Sequence, residues 1–405
     1  MTCRQLCIFF SLLLIAACNT TTTPDFAEDA ARIATESIIV DTHVDVPYRL
    51  ASTPADISES TDGGDFDYPR ARRGGLNAPF MSIYTPSSLE AEGQSKAVAE
   101  TLIDSVLSFA EKWPEKFAIA TSPSDVREQF KAGVMSLPMG MENGSPIEGD
   151  LDNLQHFYDR GIRYITLTHG LSNHISDSSY DANHQWNGLS EFGRDVVREM
   201  NRLGIMVDVS HISDEAFWQT IEISKAPLIA SHSSARHFTP GFERNMSDEM
   251  IVALAKKGGV IQINFGSSFV TAKAREYVSA RSEAGKKWLQ ENPQYSEKDS
   301  DRLFPDIYAN EHGPLPFASL DDVLDHFDHV VAIAGIDHVG IGSDYDGVGD
   351  SLPVGLKDVS AYPNLVKGLL ERGYSEADIQ KILGENLLRV WQDVENYAAT
   401  TSSKT

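Results

Sequence analysis

Eight short apolar runs, most of them closing on a histidine or a carboxylate, constrain this chain more than any other feature. Five end in a residue able to hold a metal or carry a proton: IIVDTHVD (residues 38–45), GVMSLPMGME (133–142), GIMVDVSH (204–211), PLIASH (227–232) and HVGIGSD (338–344). APFMSIY (78–84), YITLTH (164–169) and GVIQINFG (259–266) complete the set. Runs of this length without polar alternation read as strands buried on both faces of a parallel sheet. Helical patterns fall between them, over residues 90–116, 151–160, 190–203, 214–224 and 247–257. Strand and helix alternate, and ligands gather at the carboxyl ends of strands, where a (β/α)8 barrel builds its active site. The expected fold class is therefore α/β, a TIM-type barrel.

The connectors carry matching punctuation. Gly161, Gly204 and Gly258 each follow a helical pattern and precede a strand, where glycine can take the left-handed helix cap. Between the seventh and eighth strands the chain runs long, over residues 267–338, with a charged helical segment at 273–292 and a proline-rich piece at 304–317. An insertion of that length on top of a barrel reads as a lid, a substrate wall or an oligomer contact. Residues 362–371 and 375–395 read as closing helices. No internal repeat of fixed period appears, and residues 31–398 read as one domain, with 399–405 as a disordered tail.

The amino terminus reads as an address. Arg4 precedes an apolar stretch over residues 6–17, and Ile15-Ala16-Ala17-Cys18 resembles a bacterial lipobox, in which the cysteine is acylated. Residues 1–17 are then a lipoprotein signal peptide, Cys18 the lipidation site and 18–30 a threonine-rich tether, the alternative being an ordinary signal peptide cleaved nearby. The expected location is the cell envelope, lipid-anchored to a bacterial membrane. Asn19 after the cysteine favours the outer membrane in a host that has one. All three cysteines, Cys3, Cys7 and Cys18, fall in this segment, so a mature chain has only histidine and carboxylate to offer a metal. With 34 basic against 59 acidic residues the formal charge is -25, which argues against nucleic acid as a partner.

His43 and Asp45 lie two apart in an extended segment, so their side chains leave one face and can converge on one ion. Singly, each candidate also has an ordinary reading: H-x-D as a surface pair, Glu142 before Asn143-Gly144 as a loop carboxylate, a strand-end histidine as a hydrogen-bonded structural residue. Together, H-x-D on the first strand, Glu142 on the third, His211 on the fifth and His232 on the sixth surround one barrel mouth. Imidazole with carboxylate suits zinc, with manganese or cobalt as alternatives, and this set is too large for one catalytic zinc that keeps a water position open. Two ions bridged by a carboxylate and a hydroxide fit better. Asp344, ending the eighth strand, is placed to take a proton from that water and deliver it to a leaving group, and it or Asp346 could instead cap the loop.

DTHVD, GMENG, YITLTHG, DVSHIS, ASHSSAR, ERN and GIGSDYDG together resemble, in order and spacing, the membrane dipeptidase (renal dipeptidase) family of zinc hydrolases. The likeness spans roughly residues 38–391 and includes KILGENLLRVW near the end. It implies a metallo-dependent hydrolase barrel with two Zn2+ per chain. By that resemblance His43, Asp45 and Glu142 hold one zinc, Glu142, His211 and His232 hold the other, and Glu142 is the bridge. It also implies that His169 contacts the substrate and the developing oxyanion, and that Arg244 binds the free carboxylate of a dipeptide. GMENG departs from the family's glycine pair after the bridging glutamate, the loop 170–187 differs from the mammalian pattern, and the mammalian disulfides cannot form.

The expected activity is hydrolysis of dipeptides, including those with a C-terminal D residue, with a homodimer left open as the oligomeric state. Two rival readings are another amidohydrolase-type binuclear enzyme acting on a lactone, cyclic amide or phosphoester, and a substrate-binding lipoprotein without catalysis. No strand candidate ends in lysine, which weighs against a carbamate-bridged site. Asp344 beside a full ligand set weighs against a binding protein.

Overall fold

Strands rich in valine, isoleucine, leucine and methionine bury both faces here, and closing the sheet on itself leaves no edge. The computed structural model describes residues 25–402. Eight parallel strands close in the order β1 (Ile39–Val44), β2 (Leu76–Tyr84), β5 (Met139–Glu142), β6 (Ile162–Thr166), β7 (Met206–Asp208), β8 (Leu228–Ala230), β9 (Val260–Ile263) and β10 (Val339–Ile341). The last pairs back onto β1 through Ile341 and Asp41. The TIM-type barrel expected from the runs is the fold observed.

β3 (Phe117–Ile119) and β4 (Met135–Leu137) pair outside the barrel. The single run 133–142 is thus two strands. Pro138 has no N–H for a ladder, and the chain changes partners there: β4 leaves with β3, while β5 enters between β2 and β6.

Serine caps set where several outer helices begin, and hence where each loop above the barrel ends. Ser190, Ser213 and Ser247 accept hydrogen bonds from the amides of Gly193, Ala216 and Met250, opening helices Glu191–Leu203, Asp214–Ile223 and Asp248–Lys256. Gly161, Gly204 and Gly258 take φ of 103°, 86° and 80°, as expected for left-handed connectors into β6, β7 and β9.

The long segment before β10 divides in a way the residues do not advertise. Helices Ser267–Val270, Ala272–Glu291 and Glu297–His312 form the insertion, while Leu320–Ala334 is the outer helix that packs Val323, Leu324, Phe327 and Val330 inward. The proline-rich reading of 304–317 is corrected for its first part, since Pro305 lies inside a helix. A Ser296–Asp299 capping box starts that helix, and Phe304 and Tyr308 pack on Trp288 and Tyr277 at ring separations of 5.8 and 5.2 Å, holding it through the lost hydrogen bond.

The domain boundaries also move. Helix Ala27–Glu36 buries Ala30, Ile33 and Ala34, so packed structure begins inside the stretch read as tether. Helix Asn386–Ser402 runs past residue 398 into the stretch read as a disordered tail. The signal segment 1–17 and Cys18 lie outside the described residues. Among the described residues, no helix is long and apolar enough to cross a membrane.

Candidate metal centre

Glu142, the last residue of β5, is buried with its two carboxylate oxygens turned to different partners. Oε2 lies 3.4 Å from His43 Nε2, which is itself 3.4 Å from Asp45 Oδ2. Oε1 lies 3.1 Å from His211 Nε2, 3.2 Å from His232 Nε2 and 3.5 Å from His169 Nε2. One carboxylate thus divides the candidate ligands into two groups, His43 with Asp45 on one oxygen and His211 with His232 on the other. All five side chains named as ligands from the residue pattern meet here.

Buried strand-end polar groups hold these ligands in place. Tyr164 on β6 donates its hydroxyl to Thr42 O at 3.0 Å and meets His43 Nδ1 at 2.8 Å. Asp208, ending β7, accepts from Ser231 Oγ at 2.6 Å, and Ser231 Oγ lies 2.7 Å from His232 Nδ1. His43 and His232 therefore have their rear nitrogens tied back, which leaves Nε2 facing the centre, whereas His211 Nδ1 is buried without a hydrogen-bond partner. His211 sits beyond the end of β7 at φ 71°, and Asp344 beyond β10 at φ 64°. Both are left-handed positions that a side chain bearing a Cβ occupies only under constraint.

Asp344 Oδ2 accepts from Asn264 Nδ2 at 2.8 Å, and its backbone N–H donates to His43 O at 3.1 Å. It shares a neighbourhood with His43 and Asp45, one ligand atom of each falling within 4.8 Å of the others. Asp346, two residues on, is engaged elsewhere: it accepts from Arg49 Nε at 2.8 Å and from the Asp65 amide at 2.6 Å, so it braces the loop. Arg244 is 2% exposed, with Nη1 donating to Ser233 Oγ at 2.8 Å and Nη2 to His232 O at 2.9 Å while also lying 2.9 Å from His211 Nε2. Its Nε has no partner, and among the described residues no carboxylate pairs with it.

The electrostatics follow from burial and crowding. Burial raises the Glu142 pKa, but His43 and His169, with hydrogen bonds from His211 and His232, outweigh it and hold the group ionised well below the usual range. Burial, then Arg244, keeps His211 neutral; burial, then His43 and Arg244, does the same for His232. Burial also lowers His169. His43 is pushed up against its burial by Tyr164, Glu142 and Asp45. Burial drives Asp344 to about 7, with His43 opposing and Asp45 and Glu142 reinforcing. Three carboxylates crowd this centre, and His43 Nε2 and Asp45 Oδ1 are buried without hydrogen-bond partners. Partnerless buried lone pairs and excess negative charge fit divalent cations, and the imidazole–carboxylate donor set fits borderline ones such as zinc.

The sequence pattern of the membrane dipeptidase family (peptidase family M19) matches residues 27–405. The chain belongs to that family. Membership makes it a metal-dependent dipeptidase, a hydrolase acting on peptide bonds. Solved structures resemble it along nearly their whole length. The probable dipeptidase PvdM from Pseudomonas aeruginosa superposes with a TM-score of 0.80 at 26% identity, covering 92% of this chain and 99% of that one. A metallo peptidase from Rhodobacter sphaeroides, liganded with a phosphinate mimic of the dipeptide L-Ala-D-Ala, gives 0.72 at 26% identity, covering 88% and 99%. The dipeptidase AC, a metallo peptidase of family M19, gives 0.73 at 27% identity, covering 88% and 98%.

In this dipeptidase the centre opens into a cavity of about 480 Å³. Its walls include Tyr48, Tyr84, Tyr180, Phe269 and Arg281, none of which the residue pattern singled out. Arg281 and Val278 come from helix Ala272–Glu291, so the insertion is a wall of the cavity. Gly347 also lines it, and its backbone lies against both Asp344 and Asp45. Only Gly347 carried any sequence signal, as the glycine closing GSDYDG; the aromatic residues and Arg281 arrive by tertiary packing.

Proposed function

We propose that this dipeptidase works with two zinc ions, His43, Asp45 and Glu142 holding one and Glu142, His211 and His232 the other. The supporting observation is the division of partners between the two oxygens of Glu142, each 3.1–3.4 Å from the imidazole nitrogens it would share an ion with. Bound there, the ions would polarise the scissile carbonyl and lower the pKa of water into the neutral range.

The chain's own groups carry the remaining work. Arg244 offers a desolvated guanidinium to the free carboxylate of the substrate, which confines hydrolysis to short peptides with an unblocked C-terminus. His169, neutral and facing the cavity beside Tyr84 at a ring separation of 4.8 Å, donates toward the oxygen that gains charge in the transition state. Asp344, with a pKa of about 7, takes the nucleophile's proton and returns it to the departing amine. The phosphinate mimic of L-Ala-D-Ala in the Rhodobacter sphaeroides structure supports a range that includes a C-terminal D residue. The lipobox supports acylation at Cys18 and a place on the bacterial cell envelope, where such dipeptides are released. Among the described residues no lysine lines the cavity, which disfavours a carbamate-bridged lactone or phosphoester hydrolase.

A panel of L-Ala-L-Ala, L-Ala-D-Ala, their C-terminal amides and tri-alanine tests the reading. Both free dipeptides should be cleaved, activity should vanish on chelation and return with zinc, and the amides and tripeptide should resist. No dipeptide cleavage by zinc-restored protein would overturn it. Asp344→Asn should lower kcat by about 10²- to 10⁴-fold with metal content unchanged.

A further inference from the structure

We propose that His237, Asp248 and His329 form a separate binding site for a borderline divalent cation, sharing no residue with the catalytic centre. Three elements supply it: the turn Arg236–Phe238 after β8, the first residue of helix Asp248–Lys256, and helix Leu320–Ala334. His329 Nε2 lies 2.8 Å from Asp248 Oδ1, and the imidazoles of His237 and His329 stack at 4.3 Å with 24° between their planes. One ligand atom from each of the three falls within 4.8 Å of the others. Phe238 meets His237 and His329 edge-on at 4.9 and 5.6 Å, giving the cluster an apolar floor.

Metal bonds of about 2.0–2.2 Å bring neighbouring ligand atoms to roughly 3–3.5 Å from one another. Asp248 and His329 already lie near that spacing, and His237, being exposed, can close the triad by side-chain rotation alone. Among the described residues no lysine or arginine pairs with Asp248, so its charge is free to meet a cation. Two imidazoles and one carboxylate select zinc, nickel, cobalt or copper(II) over magnesium or calcium, and the open side leaves remaining positions to water.

The placement gives the ion a structural consequence. His237 and Asp248 bracket the segment that carries Arg244, and His329 lies on the helix whose His326 contacts Ala235 N and Val270 O. A cation there ties both ends of that segment to one helix.

The test is equilibrium dialysis of the holoenzyme against excess Zn2+, followed by metal analysis of the wild type, His237→Ala and Asp248→Asn. The wild type should retain one more equivalent of zinc than either variant, and added zinc should raise its Tm but not theirs. Dipeptide hydrolysis should match in all three. Equal zinc content in wild type and both variants would overturn the proposal; because His237 is exposed, its alanine variant keeps the fold and the comparison stands.

Discussion

A methyl group at position 347 would decide whether two carboxylates keep their places. A Cβ on Gly347 would lie 2.1 Å from Asp344 Oδ1 and 2.3 Å from Asp45 Oδ2, closer than any contact allows. The glycine lines the open cavity rather than the barrel core, so the cost falls on the site. Gly347→Ala should reduce kcat/KM by about 100-fold or more, the scale of an ångström-sized misplacement, while Tm stays near wild type. Wild-type kinetics in that variant would show that neither carboxylate's position matters. The ligands were legible at this scale because their types and strand-end positions carry the chemistry. Tyr164, Asn264 and Arg281 were not: each is an ordinary residue in its own segment and gains a role only from what the barrel sets beside it.

Strands β7 and β8 show how an element positions a ligand. Asp208 Oδ1 accepts from the amides of Ser210 and Ser231 at 3.0 and 2.8 Å, joining the ends of neighbouring strands beneath His211 and His232. The Ser231 hydroxyl continues that joint to His232 Nδ1. Ser231→Ala removes the link without touching a ligand, and a competition titration with a chelating dye should show zinc affinity weakened about 10- to 100-fold. Unchanged affinity would mean that backbone geometry alone aims His232. The barrel strands could be read from apolar runs because burial on both faces demands them. Pro138 escaped that reading, since a strand that changes sheets keeps its apolar character throughout. Helix Leu320–Ala334 escaped it too, hidden beside an insertion that is also helical.

The whole molecule carries a pH dependence that begins away from the catalytic centre. His326 is buried, accepts from Ala235 N at Nδ1 over 3.1 Å and donates to Val270 O from Nε2 over 2.9 Å. Burial lowers its pKa from 6.5 to about 4, with His329 adding to the shift and the hydrogen bond to Val270 O opposing it. The sign follows: the unfolded chain takes up this proton below 6.5 and the folded chain only below about 4. Stability is therefore full above 6.5 and falls as pH drops through that window. At about 1.4 kcal/mol per pH unit, the window is worth about 3 kcal/mol. The loss of Tm between pH 7 and 5 should be smaller in His326→Gln than in the wild type, and equal losses would assign the acid sensitivity elsewhere. Acidic composition spoke only to partners and surface, while the site depends on a few buried charges that no bulk figure reveals. Anomalous scattering from zinc-loaded crystals distinguishes one bound ion from two. A two-zinc centre requires two peaks about 3.5–4 Å apart, one against His43, Asp45 and Glu142 and the other against Glu142, His211 and His232. A single peak, or two peaks that do not both touch Glu142, would contradict it.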